Sequence, residues 1–357
     1  MISMKKNLYI LLLLVLSSCV GRHVGWAPTG SEDLELTSNK AMLQEGDFAR
    51  LSVYYKGHLL STDYDITTKI NGENVIVDKH KFERFNAGEY SLIAEYVDPE
   101  TQETIVSKSV SITVYSPNES ADYYKQVNML YYTGIWCVNC PDAAKAIKSV
   151  QHEVPGRLLP MAIHIKDVLV SEEEYEDAYN RYIPLNVWPT IMPDFVKELF
   201  VSTTKHSTVK TLLDQRLLVP ASCGIALYTE VENNTLNIDI NIKFSKDGEY
   251  KIILAILEDY IQAIGHPQIG SSDGDKYIHY NALRTVITED ALGDSIGHQK
   301  AGDKYSTSYY CTLKKDWNID NSKIIAVVLE KQANGDYHST NTTEVYLGGS
   351  VPILYEY

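Results

Sequence analysis

Two periods alternate along this chain. Between residues 33 and 115, apolar and polar positions alternate at period two in "FARLSVYY" (48–55), "YDITTKI" (64–70), "EYSLIAEYV" (89–97) and "IVSKSVSITVY" (105–115). That period turns one face of a strand to a core and the other to water. Asn71-Gly72, Ala87-Gly88 and Asp98-Pro99 punctuate the runs as turns. Roughly seven short strands over this length predict an immunoglobulin-like β-sandwich. Past "SPNESAD" (116–122), a polar boundary, strands and helices alternate. "VNMLYYTG" (127–134), "RLLPMAIHI" (157–165) and "WPTIMPDF" (188–195) are apolar strand runs. Ala144, Ile147, Val150 and Val154 recur at helical spacing, Ser171 with Glu174 makes a capping box for "SEEEYEDAYNRY", and "STVKTLLDQRLL" (207–218) is a last helix. This predicts a mixed sheet covered by helices. From Ala221 onward period two returns in seven runs, from "CGIALYTEV" to "TEVYLGG", and predicts a second, larger sandwich.

The first twenty residues follow neither period. Lys5 and Lys6 precede the apolar run Tyr9–Leu16, which is too short to cross ~30 Å of hydrocarbon and reads as a signal peptide. Leu16-Ser17-Ser18-Cys19 resembles a bacterial lipobox, so Cys19 is the expected lipidation site, against an ordinary signal with an incidental cysteine. A lipidated terminus anchors a protein without spanning the membrane, and no later stretch reaches the ~18 apolar residues of a spanning helix. Val20 to Gly30 reads as a tether, and Val20-Gly21-Arg22-His23 carries no acidic cluster. Such clusters resemble the surface-export signal of some diderm lipoproteins, so their absence leans toward the periplasmic face.

A net charge of −15 argues against binding nucleic acid or adhering electrostatically to anionic lipid. The 26 tyrosines fit recognition surfaces but more simply fit cross-strand packing. Besides Cys19 there are Cys137, Cys140, Cys223 and Cys311, an even set that permits two disulfides in an exported protein. Cys223 and Cys311 lie on the apolar faces of "ASCGIAL" and "YYCTL", so they either bridge the C-terminal sandwich or pack there unpaired.

"GIWCVNCP" (134–141) carries the chemistry. A Cys-x-x-Cys that follows a strand and opens a helix sets its first sulfur at the helix N-terminus, where free N–H groups and the macrodipole favour the thiolate. The second sulfur can then resolve a mixed disulfide, and Pro141 is tolerated in the first turn. Cys137 and Cys140 are the candidate catalytic pair. A zinc site would need a second close pair of ligands, which the distant Cys223 and Cys311 do not make. "SSDGDK" (271–276) has the look of a calcium loop without its distal Glu, Leu283 standing near that register, and reads as a solvated turn. No metal or cofactor is expected.

Trp136-Cys137-Val138-Asn139-Cys140-Pro141, with Trp188-Pro189-Thr190 further on, resembles a thioredoxin-fold active site. The resemblance implies Cys137 as nucleophile, Cys140 as resolving thiol, and Trp136, Trp188, a cis-Pro189 and Thr190 as the substrate-facing surface. Thioredoxins place a buried acid in the preceding strand where this chain has Tyr131; His164 and Lys166 are nearby alternatives for charge, His164 equally a structural polar residue. Nearly the whole mature chain, with "YIHYNALRTVITEDALGDSIG" (277–297), resembles a lipoprotein family related to a twenty-eight-kilodalton outer-membrane protein of diderm bacteria. The expected fold class is thus multidomain β and α/β. Its parts are a signal peptide (1–18), a lipidated tether (19–31), an immunoglobulin-like sandwich (32–116), a thioredoxin-like α/β domain (117–220) and a C-terminal β-sandwich (221–357). Two functions fit: a membrane-tethered thiol–disulfide oxidoreductase acting on envelope proteins, or a non-enzymatic outer-membrane or surface lipoprotein for binding or adhesion with a structural disulfide. Both have envelope proteins as partners and the outer membrane as location.

Overall fold

The computed structural model describes residues 34–60, 64–70, 73–77, 81–84, 86–169, 175, 178–179 and 187–356. The expected signal peptide, Cys19, the tether and most of the helix expected from Ser171 lie outside the described residues.

The N-terminal runs fold into two packed sheets. Leu34–Ser38, Phe48–Tyr55, His58–Leu59 and Lys81–Glu83 form one. Met42–Gln44, Tyr64–Ile70, Glu73–Val77, Gly88–Val97, Thr104–Val106 and Val110–Tyr115 form the other. Their inward residues, among them Leu36, Leu51, Val53, Ile66, Leu92 and Ile112, make one core. The run 105–115 is two strands, not one: at the break the Ala94 N–H donates to Ser107 Oγ (2.8 Å).

The central and C-terminal parts depart from expectation. The strands Thr190–Pro193, Val127–Thr133, Leu158–His164, Ala282–Val286, Gly248–Glu258, Ser322–Lys331 and Tyr337–Tyr346 are neighbours, in that order, in one eight-stranded sheet, whose remaining strand, Asp294–Gln299, pairs with Gly248–Glu258. Two α-helices have described bounds, α1 (Cys140–Glu153) and α2 (His206–Leu217), and the described residues Tyr175, Ala178 and Tyr179 are helical as well. The expected fold class with a separate central thioredoxin-like α/β domain is therefore incorrect: the protein is predominantly β, with sandwich-like sheets. The physical reason lies at the edge of Leu158–His164. An open strand edge offers unpaired N–H and C=O groups, and here Ala162 pairs in parallel with Ala282, its N–H donating to the Asn281 carbonyl (2.8 Å). The sheet thus runs on into the C-terminal strands.

Its two faces are covered differently. Ile253, Ala255, Leu257, Ile325 and Val327 share a core with Leu130, Tyr132, Leu159, Met161 and Phe195. On the opposite face, Val127, Met129 and Tyr131 pack under α1 and α2. At the far end of that face, Ile252, Leu254 and Ile256 pack against Ile225, Leu227, Ile238 and Ile240 of a four-stranded sheet. This second sheet comprises Lys304–Thr312, Thr235–Phe244, Cys223–Glu232 and Ser350–Val351. Buried charge locks α2 in place: Asp194 accepts from Arg216 Nε (3.0 Å) and pairs with Lys125 Nζ (3.1 Å). Cys223 and Cys311 are not bridged to each other. They pair across Thr235–Phe244 with Phe244 and Leu236, opposite ends of that strand, eight positions or about 26 Å apart, far beyond the ~7 Å between Cα atoms that a bridge allows.

Candidate functional site

The strand Val127–Thr133, buried throughout, delivers the chain to a tight turn at Gly134. A Cβ there would meet the Trp136 ring at 2.7 Å, so glycine is the residue that lets the indole fold back. Trp136 Nε1 donates to the Ile165 carbonyl (2.8 Å), and the Ile135 N–H donates to Asp167 Oδ2 (2.8 Å). Asp167 also meets His164 Nδ1 (2.8 Å) and accepts the Leu169 N–H (2.7 Å). Burial pushes the Asp167 carboxyl up, but His164 and the two N–H groups outweigh it and hold it below the usual carboxylate range.

Cys137 and Cys140 are joined as a disulfide. The helix opens at Cys140, not Cys137, with Pro141 in its first turn; Cys137 lies in the preceding turn, its N–H donating to the Gly134 carbonyl (3.0 Å). The buried face of α1 is Cys140, Ala143, Ala146, Ile147 and Val150. Tyr131 is buried beneath the pair; its hydroxyl donates to the Cys140 carbonyl (2.7 Å) and accepts from Thr133 Oγ1 (3.1 Å). Burial pushes its phenol pKa up, so no ionised side chain stands where the resembled family keeps an acid.

Trp188-Pro189-Thr190 is brought to the same place. The Trp188–Pro189 bond is cis, the Trp136 and Trp188 rings meet edge-on at 5.2 Å, and Trp188 packs on the core that holds both cysteines. Thr190 is buried, and its hydroxyl donates to the Val187 carbonyl.

Sequence reasoning missed a cover. The Ile269 N–H donates to the Ile135 carbonyl (2.8 Å), and Gln268 Nε2 donates to the Cys137 carbonyl (3.2 Å). Gly270, at φ +82°, comes so close that a Cβ would sit 1.9 Å from the Val138 carbonyl oxygen. Beneath this loop the cysteines are only 5% and 1% exposed. Exposed apolar side chains flank this turn: Trp136 and Val138 within it, Val168 next to Asp167, Val187 next to Trp188, and Ile269 in the covering loop. Gly270 is the available signal in the sequence, and it stands beside "SSDGDK" (271–276), which reads as a solvated turn.

No curated protein matches the sequence. Among solved structures, HBP35 of Porphyromonas gingivalis is similar with a TM-score of 0.55 at 18% identity, over 64% of this chain and 76% of that one. This is a likeness of fold. A protein of Agrobacterium tumefaciens matches at 14% identity over 66% of this chain and 100% of its own, but its TM-score of 0.44 is too low to bear on the argument. Residues 176–348, which begin after the cysteine turn, match the family model described as outer membrane protein Omp28, and over that span the chain is related to those proteins.

Proposed function

We propose that this chain is a cell-envelope protein, held at the outer membrane by lipid on Cys19 and facing the periplasm, whose Cys137–Cys140 disulfide exchanges with thiols of envelope proteins. The Omp28 match supports the location, and the Leu16-Ser17-Ser18-Cys19 sequence supports the anchor. The observation that carries the exchange reading is the set of exposed apolar side chains, Trp136, Val138, Val168, Val187 and Ile269, flanking a disulfide at the start of α1. A structural disulfide needs no such surface, whereas an extended client segment docks on one. In the exchange a client thiolate attacks Cys137 Sγ, the Cys137–Cys140 bond breaks, and its electron pair leaves on Cys140 Sγ. A second client thiolate then attacks the client sulfur of the mixed disulfide and releases Cys137, so two electrons pass from a client dithiol to this pair.

One observation favours a second reading, a binding lipoprotein with a structural disulfide: both sulfurs are buried under Gln268–Gly270. Trapping separates the two. In detergent-solubilised full-length protein, the free Cys137 thiolate of Cys140→Ser runs the same exchange in reverse: it attacks the disulfide of an oxidised client, one client sulfur leaves as thiolate, and the other is held in a mixed disulfide that dithiothreitol releases, while Cys137→Ser captures none. If Cys140→Ser captures nothing from envelope extracts, the structural reading holds.

A further inference from the structure

A cavity of about 710 Å3 lies between the strand Phe48–Tyr55, the outer face of α1 and the segment from Asp259 to Asn281. That volume falls within the ~300–1,000 Å3 of small-molecule sites. At its inner end the charges are paired: Arg50 Nη1 meets Asp259 Oδ2 at 3.1 Å, and Lys323 Nζ meets Asp259 at 3.4 Å and Glu344 at 3.0 Å. Lys148, on the α1 wall, is the cation left over. Its Nζ lies 4.6 Å from the centroid of the Tyr280 ring, and among the described residues it makes no salt bridge and no side-chain hydrogen bond. Burial pushes its pKa down, and Asp259 only partly opposes this. At the mouth the exposed Lys145 and Lys276 balance the exposed Asp142 and Asp273. With Lys40 on the wall paired to Asp47 (2.9 Å), the interior sets Arg50, Lys148 and Lys323 against Asp259 and Glu344, in a chain of net charge −15.

A desolvated cation without a counter-charge is costly, and one aromatic face offsets only about 1–2 kcal/mol of that. An anion from outside would complete the set. The walls say what else the ligand carries: Tyr54, Tyr260, Tyr277 and Tyr280 line the same space. Burial pushes the phenols of Tyr54 and Tyr277 up to about 12 and that of Tyr280 up as well, so they stay neutral and able to donate hydrogen bonds. The acidic surface disfavours a polyanion, which leaves a small one.

We infer that this cavity binds a small organic anion with a flat ring, its charged group against Lys148 and its ring among Tyr54, Tyr260 and Tyr280. The cavity borders the disulfide site through Tyr131, Cys140, Gln268 and Gly270, but the inference does not depend on thiol exchange, and its test measures binding alone. The probes are 1-anilinonaphthalene-8-sulfonate and N-phenyl-1-naphthylamine, which share a ring framework and differ by the sulfonate, titrated by fluorescence into the full-length protein. The sulfonate binds at one site per chain. Lys148→Met weakens it by about tenfold or more, as loss of a desolvated charge pair requires, and leaves the neutral amine unchanged. Lys148→Arg retains the sulfonate, and Tyr280→Leu weakens both probes. Equal sulfonate affinity in Lys148→Met and the parent overturns the inference, as does the absence of single-site binding. A Lys148→Met variant that loses both probes alike also overturns it, since the loss is then not one of charge.

Discussion

His279 illustrates how one buried side chain couples this fold to pH. Its ring is buried 5.1 Å from His164 and 4.9 Å from Tyr277. Burial foremost, and then His164, push its pKa down to about 3, against the opposing pull of Asp167. An imidazole whose folded pKa lies below its unfolded value of 6.5 contributes stability that is complete above pH 6.5 and is lost as pH falls toward 3. Asp167 and Asp259 are both held below the carboxylate range, so their contributions fade only below about pH 4. The two windows separate. Between pH 7 and pH 4.5 the parent protein is expected to lose about 2 kcal/mol of stability through His279, on the scale of 1.36 kcal/mol per pH unit. His279→Gln, which does not titrate, should flatten that part of the curve in urea denaturation at the two pH values. An unchanged slope in the variant assigns the pH dependence to other groups.

The elements themselves were legible where one face meets a core and the other meets water. "TLNIDINIKF" is the strand Thr235–Phe244, buried at every second position from Leu236 to Phe244. The run Ile252–Leu257 is different: all six residues are buried because both faces of its strand are covered. The lack of alternation was the available sign that this strand sits inside a layered sheet. What periodicity does not encode is which distant element lies on top, and the cover on the cysteine turn is such a case. Gln268–Gly270 is brought onto Ile135–Val138 by three backbone-directed contacts that leave no trace in hydrophobic pattern. Gly270→Ala tests the cover as an element. A side chain at φ +82° costs about 1–2 kcal/mol, and the 1.9 Å approach to the Val138 carbonyl adds to it. The loop should lift, and the Cys137–Cys140 disulfide should be reduced by dithiothreitol about tenfold faster or more, since each 1.4 kcal/mol of opening is a factor of ten. A rate equal to the parent's means that the loop does not limit access.

At the scale of the whole molecule, the parts of the chain are stitched together at a few points. The union of the central and C-terminal strands rests on Ala162 beside Ala282, residues 120 positions apart, which no local pattern predicts. The C-terminal segment adds stitches: Arg157 and Glu356 form a two-pronged ion pair at 2.6 Å, and Gln44 Nε2 donates to the Ile353 carbonyl (2.9 Å). The N-terminal sandwich is further tied in through Arg50, whose guanidinium lies between the Tyr260 and Tyr346 rings (4.6 and 4.5 Å) while pairing with Asp259. Lys323 still pairs with Asp259 when Arg50 is removed, so Arg50→Met should cost less than the about 3–5 kcal/mol of stranding a buried charge outright. About 1–3 kcal/mol is expected, read by urea denaturation. The distribution of the loss is the sharper test, because Arg50 bridges two layers and belongs to neither core. Hydrogen exchange should quicken at Phe48–Tyr55 and at Tyr260–Tyr280 together, and stay slow across Ile252–Leu257, whose protection comes from the layered sheet. Quickening confined to the N-terminal strand would mean that the sandwich is held by its other contacts and that Arg50 is only a local pair.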